Sequence, residues 1–248
     1  MIQDLHSHSY YSFCGKDSPE TIVEAAIAGG IELYGICDHN HGVGLQKNCV
    51  RKADCDLPFD DYERTLVRYF DHINLIREKY ADRIRVLRGL EICTARSARR
   101  MALPASADVS LFDYCLIEQL DAGEDTVTEG DLFSFVERCG TTCGVAHTDL
   151  FAHAKALGED PYRYFRRMAE AGIFWEMNVS YDSIHKYREH PYMLRFFESE
   201  EEQAIVRESG VRLSVGFDGH KVEDYRPDRV RTACERITKM GIKLAFEE

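Results

Sequence analysis

Short apolar runs alternate with amphipathic segments of helical length along the whole chain, and this alternation constrains the fold more than any other feature. Seven runs read as strands: Ile2–His6, Leu33–Cys37, Ile84–Leu90, Tyr114–Ile117, Thr142–Ala146, Ile173–Asn178 and Arg212–Phe217. Between them Pro19–Ala28, Tyr62–Tyr80, Asp131–Arg138, Tyr162–Ala171 and Glu198–Glu208 read as helices, and Arg229–Met240 follows the last strand. Ser18-Pro19-Glu20 is a helix start, with a capping hydroxyl followed by proline in the first turn. Gly29-Gly30, Gly140, Gly172, Gly210 and Gly241 stand where helices should stop. Strands separated by helices must run parallel, which predicts an α/β fold. No linker or low-complexity tract interrupts the pattern, so one domain over residues 1–248 is expected.

Composition narrows the function. Among 248 residues, 43 acidic against 31 basic side chains give a net charge of -12. Coating a nucleic-acid duplex requires clustered Lys and Arg, so stable duplex binding is not expected. A small anionic substrate is compatible, because a metal or a local Arg overrules the global charge. No apolar stretch approaches the roughly 20 residues of a membrane span. The start, MIQDLHSHS, lacks the basic and apolar regions of a signal peptide. Nine cysteines without a CxxC pair are expected to be reduced thiols of a cytoplasmic protein, with Cys37, Cys93 and Cys115 in the core.

The chemistry gathers at the ends of the strands. His6 and His8, His39, His147 and His220 stand there, beside Asp4, Asp38, Glu91, Asp149 and Asp218. A parallel barrel brings all its strand C-termini to one face, so residues scattered from 6 to 220 would converge. An open doubly wound sheet would instead show a Gly-rich phosphate loop, and neither GxGxxG nor GxxxxGK[ST] occurs. His6 and His8 point the same way from an extended chain and can grip one ion. Imidazole and carboxylate together suit Zn, Mn or Fe.

The segments DLHSHS, ICDHN, GLEI, GVAHTDL and GFDGH, in this order, resemble the PHP family, named for polymerase and histidinol phosphatase. The resemblance covers nearly the whole chain. It implies a distorted seven-stranded (βα) barrel, two or three divalent metal ions and hydrolysis of phosphate esters. It places His6 and His8 on one metal, completed by Asp218 and by Glu91 as a bridge. It places His39 and His220 on a second metal and His147 on a third, again sharing Glu91. Asp38 is expected to orient His39 or to hold a proton. Two positions depart from the family. Where relatives carry a further ligand after the paired histidines, this chain offers Cys14, and thiolate is a good zinc ligand. At the fourth strand end, where many relatives carry His, it offers Gln119, with Glu118 as the adjacent alternative.

On the substrate side, Trp175-Glu176-Met177-Asn178 resembles the family's pocket lining, which makes Asn178 a candidate contact. The polar stretch from Tyr181 to His190 supplies His185, Arg188 and His190 as candidates to grip a phosphate, and His185 or Asp38 to supply a proton. Ala95–Arg100 is a second basic loop. His72 and His153 read as structural. The expected function is a metal-dependent phosphomonoesterase acting on a small phosphorylated metabolite, with water activated between two ions. Histidinol phosphate is one substrate within the family. The alternatives are a C–N or C–O hydrolase of amidohydrolase type, and a non-catalytic metal-binding or sensory domain.

Overall fold

The computed structural model describes residues 1–45, 62–94, 102–104, 107–120, 126–129, 131–180 and 190–247. Seven parallel strands pair in chain order: β1 (Gln3–Asp4), β2 (Leu33–His39), β3 (Arg85–Cys93), β4 (Tyr114–Glu118), β5 (Cys143–Val145), β6 (Phe174–Asn178) and β7 (Leu213–Gly216). The segment following β1 meets β7: Leu5 N donates to Val215 O at 2.9 Å, and Asp218 N donates to His6 O at 2.8 Å. The sheet is thus a nearly closed barrel, and each strand coincides with one of the seven apolar runs.

Seven helices lie between strands among the described residues, α1 (Pro19–Ala28), α2 (Tyr62–Lys79), α3 (Leu132–Cys139), α4 (Leu150–Ala156), α5 (Pro161–Glu170), α6 (Pro191–Glu198) and α7 (Glu200–Ser209), and α8 (Pro227–Lys239) follows β7. Their ends follow local chemistry. The Ser18 hydroxyl caps α1 by accepting from Thr21 N, and Gly140 ends α3 at φ 64°, where a side chain would be strained. The short α4 and α6 escape periodicity analysis. α4 has 7 residues, under two turns of pattern, and α6 starts without a side-chain cap.

Period-two alternation divides the core into two. Tyr34 and Ile36 of β2, Leu90 and Ile92 of β3, and Cys115 and Ile117 of β4 join the large cluster beneath the helices. Leu33 and Cys37, Leu87, and Tyr114 and Leu116 join a second cluster with Leu5 and Phe174 inside the barrel. Tyr114 fills that interior and donates its hydroxyl proton to Leu5 O. Two glycines make room for it: a Cβ on Gly35 would lie 1.9 Å from the Tyr114 hydroxyl, and one on Gly89 would lie 2.4 Å from the ring. The inward row of β2 therefore reads Leu33, Gly35, Cys37, His39, from an apolar floor up to an imidazole at the strand end.

Candidate metal centre

Strand register builds the site. His39 is the register partner of Glu91 on the neighbouring strand, and Cys93 is the partner of Glu118. His39, Glu91 and Glu118 therefore point inward at the C-terminal ends of β2, β3 and β4. From across the barrel His147 and Asp218 turn in just after β5 and β7, at φ 25° and 55°. These are sparsely populated backbone conformations for residues with side chains, and both turn a side chain toward the same cluster.

The donor atoms are close. His6 Nε2 lies 3.2 Å from His8 Nε2 and 3.2 Å from Glu91 Oε1. Asp218 Oδ1 stands 3.1 Å from His8 Nε2 and 3.6 Å from His6 Nε2. Ligand atoms around a tetrahedral ion with bonds of about 2.1 Å stand about 3.4 Å apart, so this group has the dimensions of a metal site. Glu91 reaches further: its Oε2 lies 2.9 Å from His39 Nδ1, and its Oε1 lies 3.2 Å from His147 Nε2. His39 Nδ1 and Glu91 Oε2 are buried 2.9 Å apart without hydrogen-bonding geometry. A cation bonded to both atoms would satisfy them.

Among the described residues, four overlapping groups have metal-binding geometry: His6, His8 and Asp218; His8, His39 and Glu91; Glu91, Glu118 and His147; and His8, Cys14 and His220. Electrostatics agree. Burial depresses the basicity of His6 and His39, but the surrounding carboxylates, Glu91 foremost for His39 and Glu176 for His6, overcome it and hold both imidazoles well above their ordinary range. His147 is raised to about 9 against burial by Glu91, while burial takes His8 down to about 3. Burial would raise Glu91 and Asp218, yet the histidines hold both well below the usual carboxylate range. Such a pocket demands positive charge.

The expected ligands His6, His8, His39, Glu91, His147, Asp218 and His220 thus converge, and Cys14 joins them. At the fourth strand end, Glu118, the last residue of β4, sits with Glu91 and His147 and is raised to about 7 by burial and by Glu91. Gln119 follows it at φ 59°, and its side-chain oxygen accepts from the thiol of Cys93, the register partner of Glu118, at 3.4 Å.

Next to His39 on β2, Asp38 points away from the centre and reaches His39 through its backbone. Its carboxylate accepts from the amides and hydroxyls of both Ser9 and Ser12, at 2.6–3.1 Å. The Ser12 hydroxyl in turn accepts from His39 N at 2.9 Å. Asp38 therefore fastens the loop after the paired histidines and holds the His39 backbone through Ser12.

Glu176 was not singled out from sequence. It is buried on β6, its Oε1 lies 2.7 Å from His6 Nδ1, and its Oε2 accepts from His147 N at 2.8 Å. It leaves Nε2 as the nitrogen of His6 that faces the cluster, the arrangement a carboxylate takes behind a ligand histidine. The signal available was a carboxylate within a wholly buried strand. Asn178 is buried as well, donates to Glu176 Oε2 at 3.3 Å and accepts from Ser180 N, so it supports Glu176. His41 was also missed: its buried ring stacks 4.9 Å from that of His39. His190 stands at the start of α6, its ring stacked 6.0 Å from that of His147 at the edge of the centre. His185 and Arg188, like the Ala95–Arg100 loop, lie outside the described residues. His72 and His153 have structural contacts, with Tyr11 and Glu20 for the first and Tyr164 for the second.

The sequence model of the PHP domain matches residues 4–239. The chain belongs to the PHP family. A curated histidinol-phosphatase of Lactococcus lactis is 25% identical over 130 residues, which are 52% of this chain and 43% of that protein. The chain's match therefore spans less than half of that relative. The crystal structure of histidinol phosphate phosphatase from Lactococcus lactis, complexed with zinc, L-histidinol and phosphate, superposes with a TM-score of 0.61 at 18% identity. The superposition covers 98% of this chain and 95% of that one, so the PHP barrel is shared from end to end. No helix among the described residues is long and apolar enough to cross a membrane. All seven described cysteines are free thiols.

Proposed function

We propose that this PHP chain is a metal-dependent phosphomonoesterase acting on a small phosphorylated metabolite. The observation that carries the reading is Glu91, a buried carboxylate with histidines of three different groups around it, so that adjacent cations would share it. Adjacent divalent ions supply charge for phosphoryl oxygens and acidify a water. His6, His8 and Asp218 would hold one ion, His39 and His220 a second, and Glu118 and His147 a third, with Zn, Mn and Fe all suited to such donors.

The protein's own part is positioning. Glu176 fixes the His6 ring and the His147 backbone together, which locks two donor groups to one carboxylate. Asp38 holds the loop after His8. His190, at the edge beside His147, is placed to donate a hydrogen bond to a phosphate oxygen. The names of the two relatives make histidinol phosphate the first substrate to try.

The test is a panel of phosphomonoesters, histidinol phosphate included, alongside simple amides, after reconstitution with Zn, Mn or Fe. Phosphate release that disappears on chelation is the expected result. Hydrolysis of amides alone would overturn the reading in favour of a C–N hydrolase. Stoichiometric metal with no turnover of any substrate would overturn it in favour of a binding domain.

A further inference from the structure

Resting on the proposal that the cluster holds metal, we infer that Cys14 is a thiolate ligand, beside His220 and His39, and that it makes this one position of the centre selective for thiophilic, zinc-type ions over manganese-type ions.

Cys14 is held where it stands from both sides. Upstream, Ser12 is clamped by Asp38 through its amide and its hydroxyl. Downstream, Lys16 N donates to His220 O at 2.9 Å, which ties the loop to the segment carrying the ligand histidine. Tyr10 N donates to Asp17 O at 2.9 Å and closes the loop across its base. Gly15 is packed so tightly that a Cβ would lie 2.0 Å from Ser9 O, so the backbone there has a single path. The outcome is a thiol within 4.8 Å of donor atoms of His8 and His220. None of the six other described cysteines belongs to any of the donor groups; all are buried in the core.

The donor chemistry is then unequal across the centre. The group of His6, His8 and Asp218 and the group of Glu91, Glu118 and His147 offer only nitrogen and oxygen, which Mn, Fe and Zn all accept. The Cys14 position adds sulfur, which favours Zn, Co and Cd over Mn. Metal arriving there must displace the thiol proton.

Cobalt(II) reports sulfur directly, because a thiolate–cobalt bond gives a strong near-ultraviolet charge-transfer band that imidazole and carboxylate ligands lack. The full-length protein is loaded with Co(II) and compared with Cys14→Ser and Cys14→Asp, with cobalt counted by elemental analysis. The expected result is a band in the wild type that both variants lose, while Cys14→Asp keeps the metal count through its oxygen ligand. Competition should also show zinc preferred over manganese at one position, and that preference falling about tenfold or more in Cys14→Asp. A fully loaded wild type without the band, or a band surviving in both variants, would overturn the assignment while leaving the metal centre standing. Failure of the wild type to bind cobalt, zinc or manganese at all would overturn both.

Discussion

At the scale of single residues, direct donors and their supports should separate cleanly. His8 presents Nε2 to the site within 3.4 Å of both Asp218 and Glu91. Its replacement by Ala should abolish hydrolysis and lower bound metal by one ion. Glu176→Gln keeps the shape but weakens the hold on His6, so metal affinity should fall about 10–100-fold while saturating metal restores most turnover. Chelator competition paired with activity at high metal checks both variants, and equal behaviour of the two would refute the distinction. Gln119→His tests the choice between Glu118 and Gln119. Because Glu118 already stands beside Glu91 and His147, the added imidazole should leave the metal count unchanged by elemental analysis, whereas a gain of one ion would assign the position to residue 119.

At the scale of elements, the barrel interior is filled from one strand at the expense of its neighbours. Gly35→Ala puts a methyl against the Tyr114 hydroxyl, and overpacking of this kind costs about 1–3 kcal/mol. In a Tyr114→Phe background the obstructing oxygen is gone, so the same substitution should cost less. A double-mutant cycle by urea denaturation measures the difference, and strict additivity would show that Tyr114 does not dictate glycine at that position. Outside the barrel, Asp113 ties α2 to β3. Its carboxylate accepts from Arg77 Nη1 and Arg88 Nη2, both at 3.0 Å, and from Arg88 N at 2.8 Å. Burial pushes Asp113 up, but the arginines win and its pKa lies below the ordinary carboxylate value. The stability it contributes is therefore complete above the unfolded value of about 3.9 and is lost as pH falls through the folded value. Asp113→Asn should cost about 1–2 kcal/mol at pH 7, allowing for partial exposure. The gap to wild type should close as the pH drops below about 4. A Tm difference that is independent of pH would exclude the ion pairs as its source.

At the scale of the whole molecule, stability and metal are linked. The barrel concentrates Glu91, Glu118, Glu176 and Asp218 at one end of a chain that already carries a net charge of -12. Cations that bind only the folded state should raise Tm, by the equivalent of about 2.7 kcal/mol per site at a hundredfold excess over Kd. Calorimetry of the loaded and the chelator-stripped protein checks this, and identical Tm values would mean that the centre does not hold metal in the folded state.

What the sequence determined by itself follows from local rules. Helix caps, glycine stops and apolar runs specify seven strands with helices between them, because hydrogen bonding and burial over a few residues select those conformations. Parallel strands then carry His6, His8, His39, His147 and His220 to one face. The tertiary structure decided which of two adjacent residues on β2 looks inward: His39 and not Asp38. A shift of one residue in register reverses that choice, and register is set by contacts between segments far apart in the chain, such as the Tyr114 ring between Gly35 and Gly89. It also decided that Glu176, on β6, stands behind His6, on the segment following β1. These residues lie 170 positions apart and meet only because the sheet closes on itself.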